Sequence, residues 1–127
     1  GKQESKVTVM HLDVDDLSSR RKTMSPYEIS SVMFKLYARM SEYFLTKKSL
    51  TFFMGGDNFM VVANSGYKEN AQEFIDIVKS EFGLTLNCGI GTATTARNAV
   101  SLATKSLDTI REIRDSGKEK PEIYELV

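Results

Sequence analysis

The sequence predicts an α+β domain built on a mixed, mainly antiparallel sheet with helices on one face. Three observations predict it. Short apolar runs of period two alternate with longer runs at helical spacing. The helical runs carry start or stop signals of their own. The two middle strands are separated only by Gly55-Gly56-Asp57-Asn58, whose composition suits a tight hairpin turn.

Taken in order, residues 1–5 are polar, start without Met and read as a linker or cut edge of something longer, leaving 6–127 as a single domain. Lys6 to Leu12 alternates, with Val7 and Val9 on one face and Thr8, Met10 and Leu12 on the other, which predicts a strand buried on both sides. It ends at the acidic stretch Asp13-Val14-Asp15-Asp16. Ser18 to Thr23 reads as a polar, basic loop. Ser25, Pro26 and Glu28 supply an N-cap, a first-turn proline and a capping box, so a helix starts there. Ile29, Val32, Met33, Leu36, Tyr37, Met40 and Phe44 carry it to about Leu45.

Leu50–Met54 and Phe59–Ala63 are the arms of the hairpin. A second helix runs from Lys68 to Phe82 and stops at Gly83. Leu84 to Gly91 is the next strand, Ala96 to Asp115 a third helix, and Glu122 to Val127 a last edge strand. The first six elements follow the split βαβ order of ferredoxin-like folds. In that order the first strand lies beside the second arm of the hairpin. The hairpin turn therefore sits next to the end of the first strand, and Asp57 meets the cluster Asp13–Asp16.

Bulk composition excludes several classes. Seventeen basic residues balance seventeen acidic ones, so a dedicated nucleic-acid binder, with its basic excess, is not expected. The single cysteine, Cys88, allows no internal disulfide and no zinc cluster, and suits a reducing, cytoplasmic setting. No apolar run approaches the length of a membrane span.

Carboxylates gathered at one place call for a cation, since like charges at close range are costly. Mg²⁺ takes one or two carboxylates, waters and phosphate oxygens. Asp13 and Asp57 meet that demand as candidate catalytic residues, and the Val14 carbonyl can add a further oxygen. Gly55 and Gly56 let the backbone turn and a phosphate approach; hairpin chemistry alone would also select them. Backbone amides from Asp15 through Asp16 and Leu17 to Ser18 can cradle phosphate oxygens as an anion nest, or form a solvated acidic loop. Arg111 either reaches a phosphate or offsets the dipole of its own helix, as do Arg114 and Lys118. Arg20, Arg21 and Lys22 form a phosphate clamp or a solvated loop. His11, the one histidine, lies on the side of Asp13 and reads as a packed, hydrogen-bonded residue rather than a proton shuttle.

Four segments together carry a resemblance: His11-Leu12-Asp13-Val14-Asp15-Asp16, the run Phe52 to Met60, Cys88-Gly89-Ile90-Gly91, and Leu102-Ala103 through Ile110-Arg111. From Val7 to about Arg114 the chain resembles the archaeal GTP cyclohydrolase III family, and matches the C-terminal of its two tandem domains. The Gly-Gly-Asp part is shared with diguanylate cyclases and CRISPR-associated polymerase palms. The resemblance implies a palm-type nucleotidyl-cyclase fold, GTP as substrate and Mg²⁺ as cofactor. The implied reaction opens the imidazole ring of GTP at C8 and releases pyrophosphate, leaving a formylamino-pyrimidine ribosyl monophosphate. It also implies metal ligation by Asp13, Val14 and Asp57, nucleotide contacts from Asp15, Asp16, Leu17, Gly55, Gly56, Asn58 and Arg111, and a dimer or a tandem arrangement. Asn58 stands where cyclases that make cyclic dinucleotides have an acid, and Arg20 to Ser31 differs from their guanine-reading stretch. The alternatives are a non-catalytic nucleotide sensor and a cyclase- or polymerase-like nucleotidyl transferase.

Overall fold

In the computed structural model, which describes residues 5–127, nine elements follow one another. They are β1 (Val7–Val14), α1 (Leu17–Arg20), α2 (Pro26–Thr46), β2 (Leu50–Phe53), β3 (Phe59–Ala63), α3 (Tyr67–Phe82), β4 (Leu86–Ala93), α4 (Ala96–Asp115) and β5 (Ile123–Leu126). Of the residues expected to form a linker, 1–4 lie outside the described residues and Ser5 is exposed coil. The sheet order is β2-β3-β1-β4-β5. β1 is antiparallel to both β3 and β4, and only β4 and β5 run parallel. This is the split βαβ core with one strand added.

Local chemistry explains the elements. The capping box at the start of α2 forms as expected: the Ser25 hydroxyl accepts from the Glu28 amide and the Glu28 carboxylate accepts from the Ser25 amide. Gly83 ends α3 in the left-handed conformation. Two differences from the sequence reading stand out near the site. β1 continues past Leu12 to Val14, because Asp13 and Val14 still pair with Asn87 and Leu86 of β4. The stretch expected to be a basic loop begins as a single helical turn, α1, and the Arg20 guanidinium donates to the Gly83 carbonyl at 2.6 Å.

The expectation of helices on one face needs correction. α2 and α3 pack on the face lined by Met10, Leu12, Val14, Leu86, Cys88 and Ile90. α4 packs on the other, against Val7 and Val9. The physical reason is the alternation in β4. Its large side chains point toward α2 and α3, while Gly89 and Gly91 present bare backbone to α4. A Cβ added at either glycine would lie under 3 Å from the α4 backbone or the Leu102 side chain. A face of glycines and valines accepts a helix at very close range, so it is covered rather than left to water.

The larger core is aromatic. Phe44, Phe59 and Phe74 are fully buried, each contributing roughly 1.5–3 kcal/mol by removal from water. Phe53 and Phe59 stack into it, their ring centroids 5.5 Å apart. Because residues 53 and 59 are a cross-strand pair, this contact anchors both ends of the turn that carries Asp57.

Candidate functional site: two carboxylates at the end of β1

The site lies where β1, the β2–β3 turn, α1 and the C-terminal end of α4 meet. A cleft of about 420 Å³ there is lined by Asp13, Val14, Asp16, Leu17, Ser18, Asp57, Arg111, Arg114 and Asp115. Asp13 is placed by β1 and is 4% exposed. Asp57 is placed by the turn, where Gly55 and Gly56 adopt φ of +92° and +60°. Almost nothing would crowd a Cβ at either glycine, so it is the backbone conformation that selects them. The Asn58 amide donates to the Gly55 carbonyl at 3.0 Å, which closes the turn.

The predicted convergence of Asp13 and Asp57 is present. The Asp57 carboxylate accepts from the Val14 amide at 3.2 Å, and so touches the residue next to Asp13. In a strand a residue's amide and carbonyl face the same side. The Val14 carbonyl therefore faces the turn as well, beyond the last β1–β3 pair at Leu12 and Phe59.

Arg111 is more closely engaged than a helix-end cation would be. Its Nη2 and Nε donate to one oxygen of Asp13, Oδ2, at 2.6 and 3.0 Å. The Asn87 amide nitrogen donates to the other, Oδ1, at 3.0 Å. Burial pushes the Asp13 carboxyl above the usual carboxylate range despite Arg111 and Asn87, and the nearby Asp57 charge adds to the shift. The lining itself carries four carboxylates, Asp13, Asp16, Asp57 and Asp115, against two guanidiniums, Arg111 and Arg114.

Asp15 goes elsewhere. Its amide donates to the Thr85 carbonyl at 2.7 Å, so it is not part of an anion nest. Its carboxylate is taken up by Asn87, Arg114 and Lys120. Burial alone would raise its pKa; those three partners together lower it. The structure therefore does not bring the Asp15 side chain to the cleft. Asp16 turns the chain in the left-handed region, φ 55°. Among the described residues, the amides of Asp16, Leu17 and Ser18 donate to no backbone carbonyl and remain for an anion.

His11 is tied on both sides. Nε2 lies 3.0 Å from Asn58 Oδ1 and Nδ1 lies 3.2 Å from Thr104 Oγ1. It braces the turn against α4, in line with the packed role read from the sequence. The Asn58 side chain is consequently directed to His11.

Sequence reasoning missed three features. Asn87 is fully buried; it is a polar residue between Leu86 and Cys88 in a largely apolar strand and stands opposite Asp13, a signal that pairing reveals. Lys120 sits in an irregular loop with no periodicity to mark it. The third is an apolar cleft of about 500 Å³, lined in part by Leu17, Met24, Ile29, Met33, Phe34, Phe53 and Gly56. It adjoins the acidic cleft through Leu17 and the turn, and its residues read as ordinary core at helical spacing.

The donor set fits Mg²⁺. Among the described residues no three acidic, histidine or cysteine side chains gather as a metal-binding group. Two carboxylates and a carbonyl are what a site completed by substrate phosphates requires of the protein.

Comparison with known proteins gives a consistent picture. The family model described as GTP cyclohydrolase III matches residues 2–122. A curated GTP cyclohydrolase III of Methanococcus maripaludis (strain S2) is 31% identical over 121 residues, covering 94% of this chain and 44% of that protein. The one from Methanothermobacter thermautotrophicus is 29% identical over 109 residues, covering 85% and 44%. The chain thus spans less than half the length of these relatives. Among solved structures, the FimX GGDEF domain from Pseudomonas aeruginosa superposes with a TM-score of 0.75 at 14% identity, covering 97% of this chain and 82% of that one. The active GGEEF domain of a Vibrio cholerae diguanylate cyclase gives 0.64 at 13%, covering 97% and 85%. At such identities the likeness is one of fold.

Proposed function

The chain belongs to the GTP cyclohydrolase III family, and on that premise we propose that it carries the GTP-opening site of such an enzyme, with Mg²⁺ as cofactor. The observation that carries the reading is the meeting of Asp13 and Asp57 at Val14, beside three free amides and an apolar cleft. Asp13, the Val14 carbonyl and Asp57 would hold Mg²⁺, which when bound supplies Lewis-acid stabilisation of phosphate charge. The amides of Asp16, Leu17 and Ser18 orient the phosphates. Arg111 and Arg114, at the rim, neutralise the departing pyrophosphate. Leu17, Met33, Phe34 and Phe53 offer an apolar slot in which a purine base excludes water. One water adds at C8, the C8–N9 bond breaks, and the formyl group stays on N7; a second water attacks the α-phosphorus and the α–β phosphoanhydride breaks, releasing pyrophosphate and leaving the monophosphate.

Two further parts of the proposal concern context. The sheet face left uncovered beside α4 exposes Leu50, Phe52, Met54 and Val62. We assign it to contact with another domain of this kind, in a second copy or in tandem, since unpaired apolar faces of this sort mark interaction sites. Among the described residues no helix is long and apolar enough to cross a membrane, and GTP chemistry with a reduced Cys88 suits the cytoplasm.

A second reading is a non-catalytic nucleotide sensor. It is favoured by the Arg111 guanidinium, which already holds Asp13 Oδ2, the oxygen a cation would need. Incubation with GTP and Mg²⁺ followed by mass analysis of the products separates the readings. A formylamino-pyrimidine product supports the cyclohydrolase, a cyclic dinucleotide a nucleotidyl transferase, and unchanged but bound GTP the sensor.

A further inference from the structure

We propose that Asn87 is a positioning residue, locked by Lys120, that fixes the Asp13 carboxylate so that one chosen oxygen faces the cleft. The inference rests on the reading of Asp13 as a cation ligand.

Asn87 stands directly opposite Asp13 in the β1–β4 register and is fully buried. Lys120 Nζ lies 2.6 Å from Asn87 Oδ1. An ammonium only donates, so Oδ1 must be the oxygen of the amide. The amide nitrogen then faces the acids, and its two hydrogens are accounted for by Asp13 Oδ1 at 3.0 Å and Asp15 Oδ1 at 3.2 Å. A flipped amide would set nitrogen against ammonium and oxygen against two carboxylates. Lys120 therefore determines the orientation, and its side chain is only 13% exposed.

The consequence falls on Asp13. The last torsion of an aspartate is broad and nearly two-fold, so a carboxylate left to itself presents either oxygen. Asn87 holds Oδ1 inward, and Oδ2 is left for whatever occupies the cleft, here Arg111. Arg111 is about one-third exposed and free to leave for a phosphate; Asn87 has nowhere to go. The same amide draws Asp15 toward Lys120 and Arg114, away from the cleft. A neutral residue suits this role. Lysine or arginine at position 87 would satisfy Asp13 equally well, but would put a positive charge behind the oxygen meant for a cation.

The test measures Mn²⁺ affinity by electron paramagnetic resonance, with and without GTP, for wild type, Asn87→Leu and Lys120→Met, well below each melting temperature. Leu matches Asn roughly in shape and has no donor. Losing this kind of support behind a ligand costs roughly 10–100-fold in metal affinity, so Asn87→Leu is expected to bind Mn²⁺ that much more weakly. Lys120→Met is expected to fall less, and Lys120→Arg to hold near wild type. A residue that only stabilises the fold would lower the melting temperature and leave Mn²⁺ affinity unchanged; that result in Asn87→Leu overturns the inference. Should Asn87→Leu fail to fold, Lys120→Met decides, and wild-type affinity in it overturns the inference. A wild-type protein that binds no Mn²⁺ with GTP present refutes the ligand reading itself, and this inference with it.

Discussion

Gly89→Ala tests the packing that brings α4 to the site. The added Cβ would lie 2.9 Å from the Leu107 Cα, and closer still to the Ala103 carbonyl and the Leu107 amide. Ordinary contact begins at 3.4 Å, so the Leu107 Cα must recede by about half an ångström, and the Leu107 amide and the Ala103 carbonyl by about twice that. All three atoms are helix backbone and cannot rotate away. Overpacking of this kind costs about 1–3 kcal/mol, which for a domain of this size lowers the melting temperature by roughly 5–15 °C. The displacement also reaches function, because Thr104 and Arg111 ride on the same helix and hold His11 and Asp13. Mg²⁺-GTP affinity should fall along with stability. Thermal melts and a calorimetric titration of the variant measure both. A melting temperature within about 2 °C of wild type would show that α4 yields freely, and would refute the claim that glycine is required for close approach.

Asp57→Asn should leave stability nearly unchanged, since an amide oxygen still accepts from Val14, while Mg²⁺-GTP affinity falls by at least the roughly 10–100-fold typical of a perturbed metal site; Asp13→Asn should act alike, and calorimetry should find the double variant little worse than either single one. Arg111→Met should cost about 1–2 kcal/mol, because the broken pair is partly exposed, yet Mg²⁺ alone should raise its melting temperature more than that of wild type, there being no guanidinium to displace from Asp13. Phe52→Glu should leave the melt unchanged within about 0.5 kcal/mol and abolish self-association seen by light scattering; a wild type that stays monomeric at high concentration would contradict a second copy as the occupant of that face. Burial pushes the Cys88 thiol well above its ordinary value of 9.0, so the unfolded chain ionises first and stability is lost as pH rises beyond about 9. Melts across that range should fall less steeply for Cys88→Ala.

Much of this was legible in the residues themselves. Ser25, Pro26 and Glu28 announce α2, because capping is a local matter of donors and acceptors. The Gly55–Asn58 turn between apolar arms fixes the hairpin, and the split βαβ order then carries Asp57 to Asp13. The side chosen by α4 was not legible from its own amphipathic pattern, which says that one face is buried but not against what. The alternation of Leu86, Cys88 and Ile90 with Asn87, Gly89 and Gly91 held the answer, once read as one bulky face and one bare one. Asp15 defeated sequence reasoning for another reason: its destination depends on Lys120, a loop residue placed by the path from α4 to β5. The apolar cleft was hidden because Met33 and Phe34 look the same in sequence whether they pack against protein or line a cavity.

β1 divides the molecule into two inventories. Met10, Leu12 and Val14 belong to the aromatic core; on the reverse side of the same backbone, His11 braces the turn and Asp13 faces the acidic cleft. A change on one surface of the strand therefore need not be felt on the other, and a lineage can rewrite its reaction without reopening the question of its stability. That separation offers a physical reason why sheets only 13–14% identical in sequence still superpose with TM-scores of 0.64 and 0.75. What the strand cannot absorb is a change of length. Losing one residue upstream of Asp13 would exchange the two inventories, pressing a carboxylate into phenylalanine and turning leucine toward the acidic cleft.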